Sequence, residues 1–383
     1  MKHLYLRFMI CTIVLCLLMA ACSSPAPQLP RVEEITFQSG SFTVVGDLRL
    51  PEGTAPFPVV LFVHGDGPAD RLGSGSYLPI MDRILQAGYA TFAWDKPGTG
   101  ESTGLFDERH LHEQRAQILL DAIEAMKKRP DIDPSRIGLW GVSQAGYVMP
   151  RALAQSQDIA FMICISCAAM SSYDQMAFQV TALALCDGVP EEKVDQKTAL
   201  LARLDNARTY QTYEEYLDYR RVLNNLAGLL PAPVNDWPIL PERSWQNNPL
   251  YPEGLWNPIG VIEQARIPIL AIFGDRDRQI DPLQAAYAYR KALKQAGNPL
   301  SRVELFPGAN HGIAVTETGC PNDDSQRMNQ WLEQFLKSQG FKSLSEAQET
   351  LLEDPYQPGL LSSFPFAPKY LDTMVEWLKD LRR

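Results

Sequence analysis

Short, nearly unbroken apolar runs recur along the chain at Pro58 to Val63, Ala90 to Trp94, Arg136 to Trp140, Phe161 to Ile165, Ile267 to Phe273 and Arg302 to Phe306. Runs of this length without polar alternation suit strands covered on both faces, the condition of a parallel sheet. Helical periodicity fills the intervals, at Ile80 to Ala87, Leu111 to Lys128, Tyr147 to Gln155, Leu283 to Gln295 and Met328 to Leu336. A last helix is expected over Lys369 to Leu381, where Tyr370, Leu371, Met374, Val375, Trp377 and Leu378 share one face. Ahead of the first run, Glu34 to Gln38 and Phe42 to Leu50 flank Ser39-Gly40-Ser41, a hairpin signal. Strand and helix in alternation predict an α/β fold: a mostly parallel, doubly wound sheet led by an antiparallel hairpin.

One connection is too long for a simple crossover. About 100 residues separate Ile165 from Ile267, and they carry helical stretches of their own. A helical cap inserted at about 170–262 is expected, with Tyr213, Tyr216, Tyr219, Leu223 and Leu226 as the apolar stripe of an amphipathic helix. The segment from Ala314 to Pro368 either edges a site or only covers the surface.

The beginning of the chain has a different chemistry. Lys2 and Arg7 precede an apolar run from Phe8 to Ala21, short for a membrane span and typical of a signal peptide. The run ends in Leu18-Met19-Ala20-Ala21-Cys22, which resembles the lipobox of bacterial lipoproteins. That resemblance implies cleavage after residue 21, lipid attachment at Cys22, and a membrane-anchored protein on the periplasmic or cell-surface side. Residues 22–31 then form a Pro-rich spacer, and the folded domain spans 32–383. Loss of Lys2 and Arg7 would take the formal charge from −10 to −12. An acidic chain without clustered Lys and Arg argues against nucleic acid as a partner.

An exported chain meets an oxidising compartment, yet its cysteines form no dense framework. Cys164 and Cys167, three apart in an expected strand, should fall on opposite faces with Cα atoms roughly 10 Å apart, too far to bridge. Whether Cys186 and Cys320 pair stays open.

The strongest chemical signal is Leu139-Trp140-Gly141-Val142-Ser143-Gln144-Ala145-Gly146, a strand that ends in a sharp turn and opens into a helix. Small residues two positions to either side of Ser143, Gly141 and Ala145, let such a turn close. This resembles the nucleophile elbow of the α/β-hydrolase family, with Ala145 where the family pattern has Gly. A serine hydroxyl needs a positioned base. His311, in Pro307-Gly308-Ala309-Asn310-His311-Gly312 after the last strand, stands where the family carries it. Phe273-Gly274-Asp275-Arg276-Asp277 follows the penultimate strand, and resemblance to the family's acid loop selects Asp277, leaving Asp275 and Asp281 to shape the turn or cap the next helix. The order Ser143, Asp277, His311 is the order the family implies.

Acyl transfer also requires backbone N–H donors for the oxyanion. The resemblance assigns them to Gln144 and Asp66, the latter in His64-Gly65-Asp66-Gly67-Pro68, with His64 as a structural hydrogen-bonding residue. His110 and His112 suggest a solvated helix entry rather than a metal site. Asp95-Lys96-Pro97-Gly98-Thr99-Gly100-Glu101-Ser102 lacks the spacing of a phosphate loop and resembles a turn that packs behind the site in α/β-hydrolases. The overall likeness is to the prolyl-oligopeptidase-like and dienelactone-hydrolase-like members. It implies a cofactor-free, metal-free serine hydrolase acting on a small-molecule ester. Amide or thioester cleavage by the same residues, or a lipoprotein that binds a ligand without turnover, are the alternatives. Oligomeric state is not legible.

Overall fold

The computed structural model describes residues 30–105, 111–194, 256–338 and 364–382, with isolated positions between 213 and 243 and at 340. Eight strands form one sheet in the order β1-β2-β4-β3-β5-β6-β7-β8. The leading hairpin joins β1 (Arg31–Ser39) to β2 (Phe42–Leu50) through Gly40-Ser41, and β2 pairs antiparallel with β4 (Ala90–Trp94). From there β3 (Phe57–Val63), β4, β5 (Ile132–Val142), β6 (Ile159–Ile165), β7 (Ile269–Gly274) and β8 (Arg302–Phe306) run parallel. The expected hairpin and six parallel strands are all present.

The apolar runs are continuous because the sheet has two cores. On β3, Val59, Leu61 and Val63 face one layer while Val60 and Phe62 face the other. The first layer is closed by α2 (Leu111–Lys127), α3 (Ala145–Leu153) and α6 (Pro282–Ala296), and the second by α1 (Leu78–Gln86) and α8 (Tyr370–Asp380). Trp377, fully buried in α8, donates its indole N–H to the Leu300 carbonyl at 2.7 Å, so the last helix is held to the sheet by packing and by a satisfied polar tip. The remaining described helices are α4 (Ser172–Cys186), α5 (Ile259–Ile262) and α7 (Pro321–Ser338).

Chain order reverses between β3 and β5, where one crossover goes outward to β4 and the rest go the other way. A crevice opens at such a switch point beyond the carboxyl ends of the strands. Val63 pairs with Gly141 and Val142 with Ile165, so the loops that leave β3, β5 and β6 emerge side by side there.

Two expectations change. Cys164 and Cys167 lie in the same core layer rather than on opposite faces, since β6 stops at Ile165 and Ser166 takes φ 45°, which breaks the strand alternation. Both remain free thiols. His112 is not solvated: it lies on the buried stripe of α2 with Arg115, Ala116 and Leu119, its ring 5.0 Å from that of Tyr147. His110 lies outside the described residues.

Cys186 and Cys320 form a disulfide, with Cα atoms 5.4 Å apart across 134 positions of sequence. It ties the end of α4 to the residue before α7. The other end of α4 is capped by Ser171, whose hydroxyl accepts from Asp174 N–H, and Gln175 of its first turn donates to the Gln279 carbonyl. Most of the expected cap, including Tyr216, Tyr219, Leu223 and Leu226, lies outside the described residues, as do Cys22 and the whole leader. Among the described residues no helix is long and apolar enough to cross a membrane.

Candidate active site

Ser143 occupies the turn between β5 and α3 with φ 59°, a left-handed conformation that a non-glycine residue adopts only at a cost of about 1–3 kcal/mol. Neighbouring contacts over-determine it. Ser143 N–H donates to Ile165 O at 2.9 Å, and Ser143 O accepts from Gly146 N–H at 2.9 Å. Gly141 has no alternative here, because a Cβ would sit 2.7 Å from both Ala145 Cβ and Met149 Cε. The strained residue therefore stands at the mouth of the crevice, half-buried.

Asp277 and His311 come from the loops after β7 and β8. His311 Nδ1 lies 2.7 Å from Asp277 Oδ2, while Asp277 Oδ1 accepts the N–H groups of Gln279 at 2.7 Å and Ile280 at 3.0 Å. The carboxylate side chain is fully buried, and its acceptor capacity is met on both oxygens. A carboxylate can only accept, so the His311 proton sits on Nδ1 and Nε2 is left with its lone pair. The competing aspartates have other duties. Asp275 Oδ1 accepts from Gly308 N–H at 2.7 Å, which joins the two loops, and Asp281 caps α6 by accepting from Leu283 and Gln284 N–H. Gly274 lets the loops approach this closely, because a Cβ there would lie 2.4 Å from the carbonyls of Ala309 and Asn310. Asn310 closes the histidine turn, its Oδ1 accepting from the N–H of Gly312 and Ala314 at 3.0 Å each.

A pocket of about 470 Å³ among the described residues has Ser143, His311, Gly65 and Asp66 in its wall. Its apolar lining includes Tyr77, Trp140, Phe364, Phe366 and Tyr370. Phe366 bridges to Ala314, and both line the pocket with Met328 and Phe364, so described parts of the segment between β8 and α8 edge it. This is also where the chemistry of the early loop becomes visible. Gln144 and Asp66 are joined by their own side chains, Gln144 Nε2 donating to Asp66 Oδ1 at 2.7 Å. Arg115, buried in α2, donates to Gln144 Oε1 and to the His64 carbonyl, and Lys96, equally buried, donates to the Gly65 carbonyl at 2.7 Å and to that of Gly67. Neither residue stands out as a site member in the sequence. Arg115 has one signal: it interrupts the apolar stripe of α2 at 112, 115, 116 and 119.

The Asp95 turn holds the same loop from outside. Asp95 accepts from Arg71 N–H at 2.7 Å and from its guanidinium at 2.8 Å, and these bonds hold its carboxyl below the usual range although burial works the other way. Lys96 N–H and Thr99 Oγ1 both reach Ala69 O.

His64 is a structural residue of the loop. Its Nε2 is 2.6 Å from the Trp94 carbonyl, so that nitrogen carries the proton, and Nδ1 at 3.2 Å accepts from the Tyr77 hydroxyl. Burial first, and the neighbouring Lys96 next, pull its pKa from 6.5 down to about 3. Between those two values the unfolded chain binds more protons than the folded one, so the stability that neutral His64 supplies is complete above pH 6.5 and is lost as pH falls towards 3. Urea midpoints are expected to drop across that window, and to drop less steeply in His64→Asn; equal slopes would show that another group governs the acid limb.

The chain matches the model of the Alpha/beta hydrolase family over residues 60–330, well over half its length, and belongs to that family. Among curated relatives, a thiohydrolase of Aspergillus aculeatus is 30% identical over 119 residues, 30% of this chain and 36% of that protein. The acylamino-acid-releasing enzyme of Rattus norvegicus is 27% identical over 135 residues, 33% of this chain and 18% of that protein. The chain thus spans about a third or less of these relatives' lengths. An esterase structure from Pyrococcus furiosus aligns over 81% of this chain and 93% of its own, at 16% identity and a TM-score of 0.46.

Proposed function

We propose that this hydrolase cleaves carboxylic esters through an acyl-enzyme on Ser143, with His311 as base, Asp277 as its partner, and the N–H groups of Gln144 and Asp66 as oxyanion donors. The observation that carries the reading is the 2.7 Å His311–Asp277 pair, whose imidazole lines the same pocket as Ser143 in its strained turn. Ser143 Oγ attacks the acyl carbon as its proton passes to His311 Nε2. The tetrahedral intermediate then expels the alcohol, which leaves with that proton. Water, deprotonated by the same nitrogen, frees the acid and restores the serine. Asp277 keeps the imidazole in the required tautomer and stabilises its cation. The proposed cycle calls on no metal or organic cofactor.

The test is a fluorophosphonate probe on the purified domain, with the modified peptide mapped by mass spectrometry. Label is expected on Ser143 alone. A folded protein that takes no label would point instead to ligand binding without turnover.

The chain is also proposed to be exported and anchored through a lipidated Cys22. The Cys186–Cys320 disulfide supports this, since such bonds persist in oxidising compartments, and acyl chains on Cys22 would each contribute about 0.8 kcal/mol per buried CH₂. Palmitate fed to producing cells is expected to label the protein, and Cys22→Ser to lose the label; unchanged labelling would rule out that attachment site.

A further inference from the structure

Lys96 is 4% exposed, and among the described residues no carboxylate lies within ion-pair distance of its ammonium group. A buried amine that meets no carboxylate directly is costly to bury unless its N–H donors find other polar partners. Here those groups are the carbonyls of Gly65 and Gly67, on either side of Asp66. Arg115, also buried, holds the carbonyl just before them, that of His64, while its other amino group reaches the Gln144 side chain. Two buried basic side chains, one from the exit of β4 and one from α2, thus fasten the carbonyls of His64, Gly65 and Gly67.

The consequence follows from peptide geometry. In a trans peptide the C=O of one residue and the N–H of the next point in opposite directions. With the Gly65 carbonyl held by Lys96, the Asp66 N–H points the opposite way, away from that amine, and Gly65, Asp66 and Ser143 all line the pocket. We propose that Lys96 is a positioning residue for the oxyanion hole, acting through the Gly65–Asp66 peptide to aim the Asp66 N–H at the acyl oxygen. The inference rests on the ester-hydrolase reading of Ser143.

The same arrangement explains why the loop carries Asp66 beside a forming oxyanion. Gln144 Nε2 binds the Asp66 carboxylate at 2.7 Å, and Arg115 binds Gln144 Oε1, so the carboxylate is tethered laterally and the two proposed donor residues are tied into one unit. Burial, and Arg115 next, lower the Lys96 pKa to about 6, with Asp66 opposing. Either protonation state of the amine has enough N–H groups to serve both carbonyls.

Lys96→Met in the full mature chain keeps the aliphatic stem and removes the donors. With a short-chain ester, kcat is expected to fall on the order of 10²-fold, as for loss of one oxyanion donor, while KM stays within about threefold. Inhibition by a trifluoromethyl ketone, whose tetrahedral adduct places an oxyanion in the hole, should weaken in parallel with kcat. Lys96→Gln, which retains an N–H donor on a shorter stem, is expected to lose less, and it carries the test if the Met variant does not fold. A folded variant with wild-type kcat and wild-type ketone inhibition overturns the proposal while leaving Ser143 in place. So does a variant whose KM alone rises. A wild-type protein with no Ser143 turnover overturns the hydrolase reading itself, and this one with it.

Discussion

Ser143→Ala is expected to lower ester turnover on the order of 10⁴-fold or more, the scale on which removal of a nucleophile that works with its base as a unit is felt. The turnover that remains should come only from oxyanion donors and substrate binding. Loss of one half-buried oxygen creates no cavity, and Ala meets the same φ near 59° that Ser already tolerates, so the urea midpoint should hardly move. Turnover of p-nitrophenyl butyrate and a parallel denaturation curve check both halves. Retained turnover in a purified, folded variant would remove Ser143 from the reaction.

Asp277→Asn should be nearly as damaging to kcat, on the order of 10⁴-fold, with little change in KM. The reason lies in the two faces of the carboxylate. Oδ1 accepts the N–H groups of Gln279 and Ile280, so after the substitution the amide oxygen must stay there and the NH₂ must turn towards His311. Nδ1 can then only accept, the imidazole proton moves to Nε2, and the nitrogen that should take the Ser143 proton no longer has a lone pair. Turnover of p-nitrophenyl butyrate by the folded variant tests this. Full activity in the Asp277→Asn variant would show that the acid lies elsewhere. The neighbouring aspartates make a sharp contrast. Asp275→Asn and Asp281→Asn disturb a loop junction and a helix cap, and neither touches the imidazole.

Much of this site is legible in the sequence because its parts are local. The elbow is a strand, a small residue, a serine and a helix within a short stretch, and that succession specifies a sharp turn wherever the strand is buried. The histidine and acid loops are marked by their place after the last two strands. Choosing Asp277 over Asp275 and Asp281 takes the family resemblance; in the structure Asp277 faces the His311 ring, while Asp275 and Asp281 accept backbone N–H groups. Two expectations fail for the same cause, a local rule overridden by the surroundings. The polar neighbours of His112 in sequence suggest a solvated ring, though its helical stripe faces the core, and strand alternation separates Cys164 from Cys167 only if Ser166 does not interrupt it.

The succession of strands and helices, the buried character of both sheet faces and the turn at Ser143 follow from the chain's own pattern, because hydrophobic periodicity and turn chemistry act over a few residues at a time. The Cys186–Cys320 bond, the burial of Lys96 and Arg115 behind the early loop, and the pocket wall from Phe364 to Tyr370 were decided by tertiary structure. Each joins residues tens to hundreds of positions apart, and a contact of that range is set by how helices and loops stack on the finished sheet, not by any local preference of the residues that make it.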